Sequence, residues 1–201
     1  MPDAPVTPAA AVGLPGVAAS SASFEVPLEM LSACHGRVHA QCDTLLRLLP
    51  HLAAHGADRA AQQAASAVMR YFDTAAVHHH ADEEVDLFPA LIESMAGSDA
   101  VCLRDITRAL AADHRELERR WHQMRAGLQA VTAGDACGLA AADVQGFIDH
   151  YAQHIAREEA ELLPMAQRLL GDAELDRIGR AMRARRGLVE PARGTAAPPA
   201  P

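Results

Sequence analysis

The chain of 201 residues contains no lysine: all eighteen basic side chains are arginine, set against 26 acids for a formal charge of −8. Such an acidic balance offers no basic face to a phosphate backbone, so nucleic acid is excluded as a partner. Aromatics are scarce, with four Phe, two Tyr and one Trp, while half of the residues are apolar and alanine is abundant. Strands draw on aromatic and β-branched side chains, so this mixture points instead to closely packed helices. No apolar run reaches the roughly 18 residues of a membrane span. The four cysteines (Cys34, Cys42, Cys102, Cys137) form neither a CxxC pair nor a zinc-like spacing. They are expected to be free thiols, small apolar residues of helix faces in a reducing compartment. No positive segment precedes an apolar core near Met1, and the expectation is a cytoplasmic protein.

Residues 1–24 and 187–201 are rich in Pro, Ala, Gly and Ser without usable period, and are expected to be disordered. Residues 25–186 read as one domain of successive helices. The first starts near Pro27, with Leu28, Leu31, His35, Val38/His39, Cys42, Leu45/Leu46 and Leu49 on one face; Pro50 should kink or end it. A second, capped by Asp58, carries Val68, Phe72, Ala75/Ala76, His79 and Glu83 inward, and Pro89 must distort it. The third has the cleanest seam, from Leu103 through Leu110, His114, Leu117 and Trp121 to Leu128, with Gly134 as the break. The fourth repeats the pattern with Val144, Phe147, Tyr151, His154, Glu158 and Leu162 before Pro164. A short fifth helix, about Ala173 to Arg186, is expected to pack outside. Short links without strand-like alternation imply an all-α, up-down-up-down four-helix bundle.

Eleven histidines are the abnormal number, because imidazole is the commonest metal ligand. One internal repeat organises them. Residues 79–89 read HHADEEVDLFP and residues 154–164 read HIAREEAELLP, an offset of 75 that pairs His79 with His154, Glu83 with Glu158, Glu84 with Glu159 and Phe72 with Phe147. On a helix, i and i+4 differ by about 40° in azimuth and about 6 Å in rise, so His-x3-Glu aims a nitrogen and a carboxylate at one point. Both pairs fall on core-facing stripes, where an unpartnered carboxylate is strongly disfavoured and a coordinated cation explains it. His35 and His114 occupy inward positions of the other two helices. Four imidazoles and two carboxylates exceed a closed tetrahedral zinc site and suit two first-row ions, with Glu83 and Glu158 able to bridge. Positions remain for an oxo or hydroxo bridge and one exogenous ligand.

The repeated motif, with a histidine on each of the other two helices, resembles the hemerythrin-like (HHE cation-binding) domain over roughly residues 28–170. The resemblance implies a four-helix bundle holding two iron ions in a non-haem di-iron centre, with Mn or Zn as substitutes. It implies His35, His79, His114 and His154 as imidazole ligands and Glu83 and Glu158 as carboxylate ligands. Members of the family bind or sense oxygen, handle iron, or respond to nitric oxide and oxidative damage. Oxygen carriers resemble H-x3-H on the third helix and H-x4-D on the fourth; this chain has H-x3-E at both places (His114/Glu118, His154/Glu158). The set resembles the four-His, two-Glu type of the family's iron-centre repair proteins. Those carry a cysteine-bearing N-terminal segment, and here no cysteine precedes Cys34.

The remaining candidates have plainer readings beside the sharp ones. His39 and Glu118 sit one residue off the seam, which suits support of the ligands rather than ligation. Tyr151 is either ordinary packing or a hydroxyl near the exogenous ligand. Trp121 is core, or a wall of the ligand pocket. His78, His80, His122 and His150 face away from the seam, as solvated side chains or as supports around the ligands. Cys34 adjoins His35 but points about 100° away, as a buried inert thiol. The run Arg177, Arg180, Arg183, Arg185, Arg186 reads as a solvated face or a docking patch. The function expected is reversible binding of O2 or NO at iron, for sensing or for iron and oxidative-stress handling, with any signal passing through a separate protein partner. A di-iron oxidase or peroxidase-like enzyme, or a bundle merely stapled by metal, is the alternative.

Overall fold

The computed structural model describes residues 23–95 and 99–188. The arm and the tail expected at the two ends lie outside these residues, except for Ser23, Phe24, Gly187 and Leu188. Every regular element among the described residues is helical: α1 (Pro27–His55), α2 (Arg59–Phe72), α3 (Ala75–Ala81), a first π-helical turn (Asp82–Leu87), α4 (Phe88–Ser94), α5 (Asp99–Thr132), α6 (Ala141–Arg157), a second π turn (Glu158–Leu162), α7 (Leu163–Leu169) and α8 (Asp172–Arg185). α1 packs on α2 and α6, and α5 packs on α2 and α6, so the four close a ring of contacts. None of these helices is long and apolar enough to cross a membrane.

Local chemistry sets the boundaries. Pro27 sits in the first turn of α1, and Gly56 ends the helix with φ 69°, a left-handed value that glycine adopts without steric cost. Of the two outcomes expected at Pro50, a kink or an end, it does not end α1: the helix runs on to His55. The proline lies on the exposed face, where water can satisfy the Leu46 carbonyl it leaves unbonded. Leu46, expected inward beside Leu45, is itself exposed. Asp58 caps α2 by accepting from the Ala61 N–H at 2.9 Å.

The expected single helix from Asp58 to Pro89 is interrupted at Asp73–Thr74. Asp73 accepts from Trp121 Nε1 at 3.0 Å and from Arg125 Nε at 2.9 Å, while the Thr74 hydroxyl donates to the Arg70 carbonyl at 2.6 Å. These contacts compete with the local helix and pin the break to α5. The two prolines then act alike. Pro89 and Pro164 lack an N–H and would clash with the carbonyl four residues back. One turn earlier the helix widens: the Phe88 N–H donates to the Glu83 carbonyl, and the Leu163 N–H to that of Glu158, each five residues back. Single π turns of this kind recur at functional sites.

The core is split. One apolar cluster holds Val38, Phe72, Leu117, Trp121, Phe147 and Tyr151 among others; the second holds Leu31, Leu87, Leu91, Leu110, Leu162 and Ile178 among others. Along α1, the first π turn, α5 and the second π turn, the residues between the two clusters are His35, Glu83, His114 and Glu158. Each fully buried Leu or Phe is worth about 1.5–3 kcal/mol. Two such layers can carry a polar one between them. α8, expected to pack outside, instead seals the end of the second cluster with Ile178 and Met182, both wholly buried. Its contacts are with α1 and the first π turn.

Candidate metal centre

His35, His79, His114, His154, Glu83 and Glu158 meet in the polar layer, all buried, with both glutamates at 0 % exposure. Their ligand-type atoms form two overlapping groups: His35, His79, Glu83 and Glu158 on one side, and Glu83, His114, His154 and Glu158 on the other. Both carboxylates belong to both groups. Glu158 lies 3.1 Å from His35 Nε2 and 3.2 Å from His154 Nε2; Glu83 lies 3.5 Å from His79 Nε2 and 3.3 Å from His114 Nε2. Close as they are, the four carboxylate oxygens make no aligned hydrogen bond, and neither does His35 Nε2.

Buried polar atoms that crowd together without bonding one another fit a cation placed between them. The spacing agrees. His114 Nε2 and His154 Nε2 are 3.1 Å apart; two ligands at right angles around an ion with bonds of about 2.1 Å would lie about 3.0 Å apart. All donors are imidazole nitrogen and carboxylate oxygen, a set that suits iron, manganese or zinc.

Two residues noted in the repeat but given no role hold two of the imidazoles in place. His35 Nδ1 donates to Glu159 at 2.6 Å, and His114 Nδ1 donates to Glu84 at 2.6 Å. Each bond fixes the tautomer that turns Nε2 into the centre. The second Glu of each H-x3-E-E segment therefore serves a histidine on a different helix. His154 has a looser partner, Asp113 at 3.7 Å from its Nδ1, which also binds Arg157 at 3.0 Å.

Burial and neighbouring charges act against each other on these side chains. Burial disfavours charge on His35, but the carboxylates of Glu158 and Glu159 outweigh it and carry the imidazole from 6.5 to about 9. His114 likewise rises to about 11 against its burial, through Glu158, Glu83 and Glu84. Burial, then the neighbouring Glu158 charge, pushes Glu83 up to about 8. Burial also opposes charge on Glu158, but contacts from His114, His154 and His35 hold it well below the usual carboxylate range. For His79 the Glu158 charge offsets burial only in part, and burial pushes it down to about 3. The layer thus balances carboxylate against imidazolium, a role that a cation would take over.

Other candidates fall differently. His80, expected to face away, stacks on His114 with ring centroids 4.1 Å apart and forms a third ligand-type group with His114 and His154. The Tyr151 hydroxyl lies 3.4 Å from His80 Nε2. Tyr151, Trp121, Phe72, His80, His114 and Glu84 help line a cavity of about 220 Å³ beside the layer. Glu118 also borders it, but is exposed and lies 3.7 Å from His122 rather than supporting His114. His39 is exposed on α1, off the inward stripe, and is not brought to the layer. Cys34 is buried and its thiol raised by burial; burial likewise carries Cys42 up to about 12. Cys102 and Cys137, expected as packed residues, are exposed; all four thiols are free. The arginine run is not simply solvated, because Arg185 and Arg186 bind the buried Asp82.

Comparison with known proteins agrees with this geometry. The hemerythrin HHE cation binding domain matches residues 26–166. An uncharacterized protein of Haemophilus influenzae (strain ATCC 51907 / DSM 11121 / KW20 / Rd) is 31 % identical over 169 residues, covering 84 % of this chain and 95 % of its own. With the match spanning both H-x3-E-E segments and the helices that carry His35 and His114, the chain belongs to the hemerythrin HHE cation-binding family.

Proposed function

We propose that the chain is a non-haem di-iron protein that binds a small ligand such as O2 or NO, within an up-down-up-down four-helix bundle formed by the ring of α1, α2, α5 and α6. The observation that carries this reading is the pair of overlapping ligand groups sharing Glu83 and Glu158, whose four oxygens make no aligned hydrogen bond. His35, His79 and the two glutamates would hold one ion; His114, His154, His80 and the same glutamates the other. Iron there supplies a redox-active Lewis acid with room for an exogenous ligand. The chain's own residues do the rest. Glu84 and Glu159 fix the imidazoles, and the two glutamates neutralise the ions. Phe72, Trp121 and Tyr151 limit water at the cavity, with the Tyr151 hydroxyl available as a donor beside His80.

A second reading, a di-iron oxidase or peroxidase-like enzyme, is favoured by the cavity. At about 220 Å³ it has more room than a diatomic ligand needs. Anaerobic loading with ferrous iron, metal counting, and optical spectra before and after O2 or NO test both readings. Two irons per chain with a ligand-dependent band that reverses on ligand removal supports binding or sensing. Turnover of a reductant with peroxide release would favour the enzyme. Zinc preference without spectral response would leave a metal-stapled bundle.

A further inference from the structure

The two π turns carry the shared carboxylates, yet only the first is braced. Asp82 and Asp86 flank Glu83 in that turn, and Asp82 is completely buried. Arg185, at the end of α8, reaches both aspartates: its Nη1 donates to Asp82, and its Nη2 donates to Asp86 at 2.6 Å. Arg186 adds a second hold on Asp82 at 2.7 Å and anchors itself to the Met182 carbonyl at 2.9 Å. The Phe24 ring lies under the Arg186 guanidinium, 5.4 Å away, and closes the far side. In the second π turn the aligned positions are Arg157, which turns to Asp113, and the exposed Glu161. Nothing equivalent spans that turn among the described residues.

A π turn is a rare, single-turn departure from the α ladder, so contacts from outside the helix help to present its side chains at fixed positions. A guanidinium supplies that support as a rigid fork matched to carboxylates, and here one fork bridges two carboxylates on the same face, one turn apart. Burial strengthens the contact and makes its loss felt locally.

We propose that Arg185 and Arg186 are positioning residues for metal binding: the C-terminal helix clamps the first π turn and thereby holds Glu83 at the site where both ions share it. This rests on the di-metal reading above. Ligand binding and the arginine clamp are then coupled, so that displacing α8 loosens the metal without touching any ligand.

The experiment uses the full chain, with Co(II) as the probe ion. Three variants are compared with the parent: Arg185→Gln/Arg186→Gln, the milder Arg185→Lys, and Ile178→Ala, which weakens α8 packing while leaving the ion cluster intact. Amide exchange on the metal-free protein reads the clamp directly. Both arginine variants should speed exchange in residues 82–87 and leave residues 158–162 unchanged, whereas Ile178→Ala should show no such contrast. In Co(II) titration the arginine variants should bind about tenfold more weakly or worse, as is typical when support of a metal ligand is lost. Parent-like exchange in 82–87 would overturn the clamp. So would equal affinity losses in Ile178→Ala and the arginine variants at matched melting temperature, because α8 would then act by packing alone. If the parent itself binds no Co(II), the di-metal reading fails, and the exchange measurement still decides whether the arginines hold the turn.

Discussion

The segments 79–89 and 154–164 start from almost the same sequence and end in different surroundings. Both donate an inward His, an inward Glu and a second Glu that turns to a histidine on another helix: Glu84 to His114, Glu159 to His35. Both widen before a proline. Around that shared frame the halves diverge. His80 of the first aligns with Ile155 of the second, Asp82 aligns with Arg157, and the first segment's His80 and Glu84 line one cavity while Glu159, Leu163 and Pro164 of the second border a separate one. The lesson is that repetition specifies where the inward His and Glu side chains point, while the unrepeated neighbours set what surrounds each segment.

The sharpest way to break the comparison is to remove one shared carboxylate at a time. Glu83→Ala and Glu158→Ala should each abolish at least one metal equivalent, read by metal counting after desalting. Retention of two equivalents in either variant would remove that residue from the centre. Next in size is packing. Phe72 and Phe147 are aligned, nearly or fully buried, and in edge contact at 5.1 Å. Alanine at either should cost about 3–5 kcal/mol in denaturant unfolding, and a cost under about 1 kcal/mol at one position would break their equivalence.

Glu84→Gln and Glu159→Gln should each weaken metal binding about 10–100-fold, the former through His114 and the latter through His35. Imidazole NMR signals would show which histidine loses its partner. His80→Ile makes the first segment resemble the second. It should change the visible spectrum of the Co(II) form while keeping the fold, and an unchanged spectrum would remove His80 from the coordination sphere.

The smallest effect is on pH dependence. His35 goes from 6.5 to about 9 on folding, and Glu83 from 4.5 to about 8. Both are raised, so the folded metal-free chain holds more protons than the unfolded one. Their stabilisation is complete below the unfolded values and is lost as pH rises through about 8–9. The melting temperature of the metal-free protein should therefore fall between pH 6.5 and 9. Metal loading expels those protons, so the gain from metal should grow over the same range.

Much of this was legible in the sequence because helical periodicity and a repeat are local signals. The seam from Leu103 to Leu128, the Asp58 cap and the inward placement of His35, His79, His114, His154, Glu83 and Glu158 on their own helices follow from three- and four-residue spacing. What escaped depends on contacts between distant segments. The break at Asp73–Thr74 exists because Trp121 and Arg125 take the Asp73 carboxylate. Glu84 and Glu159 acquire meaning only from imidazoles on other helices. The repeat register selects His79 rather than His80, but His80 joins His114 and His154 in a ligand-type group that no spacing within one helix reveals. The arginines of α8 looked solvated because their acidic partners lie about a hundred residues away.

The most direct measurement is a crystal structure of the iron-loaded protein with anomalous data across the iron edge. The account predicts two anomalous peaks inside the bundle, each about 2.0–2.2 Å from a carboxylate oxygen of Glu83 and of Glu158. One should lie beside His35 and His79, the other beside His114 and His154. A single peak, or iron bound anywhere that leaves Glu83 and Glu158 without metal, would contradict it.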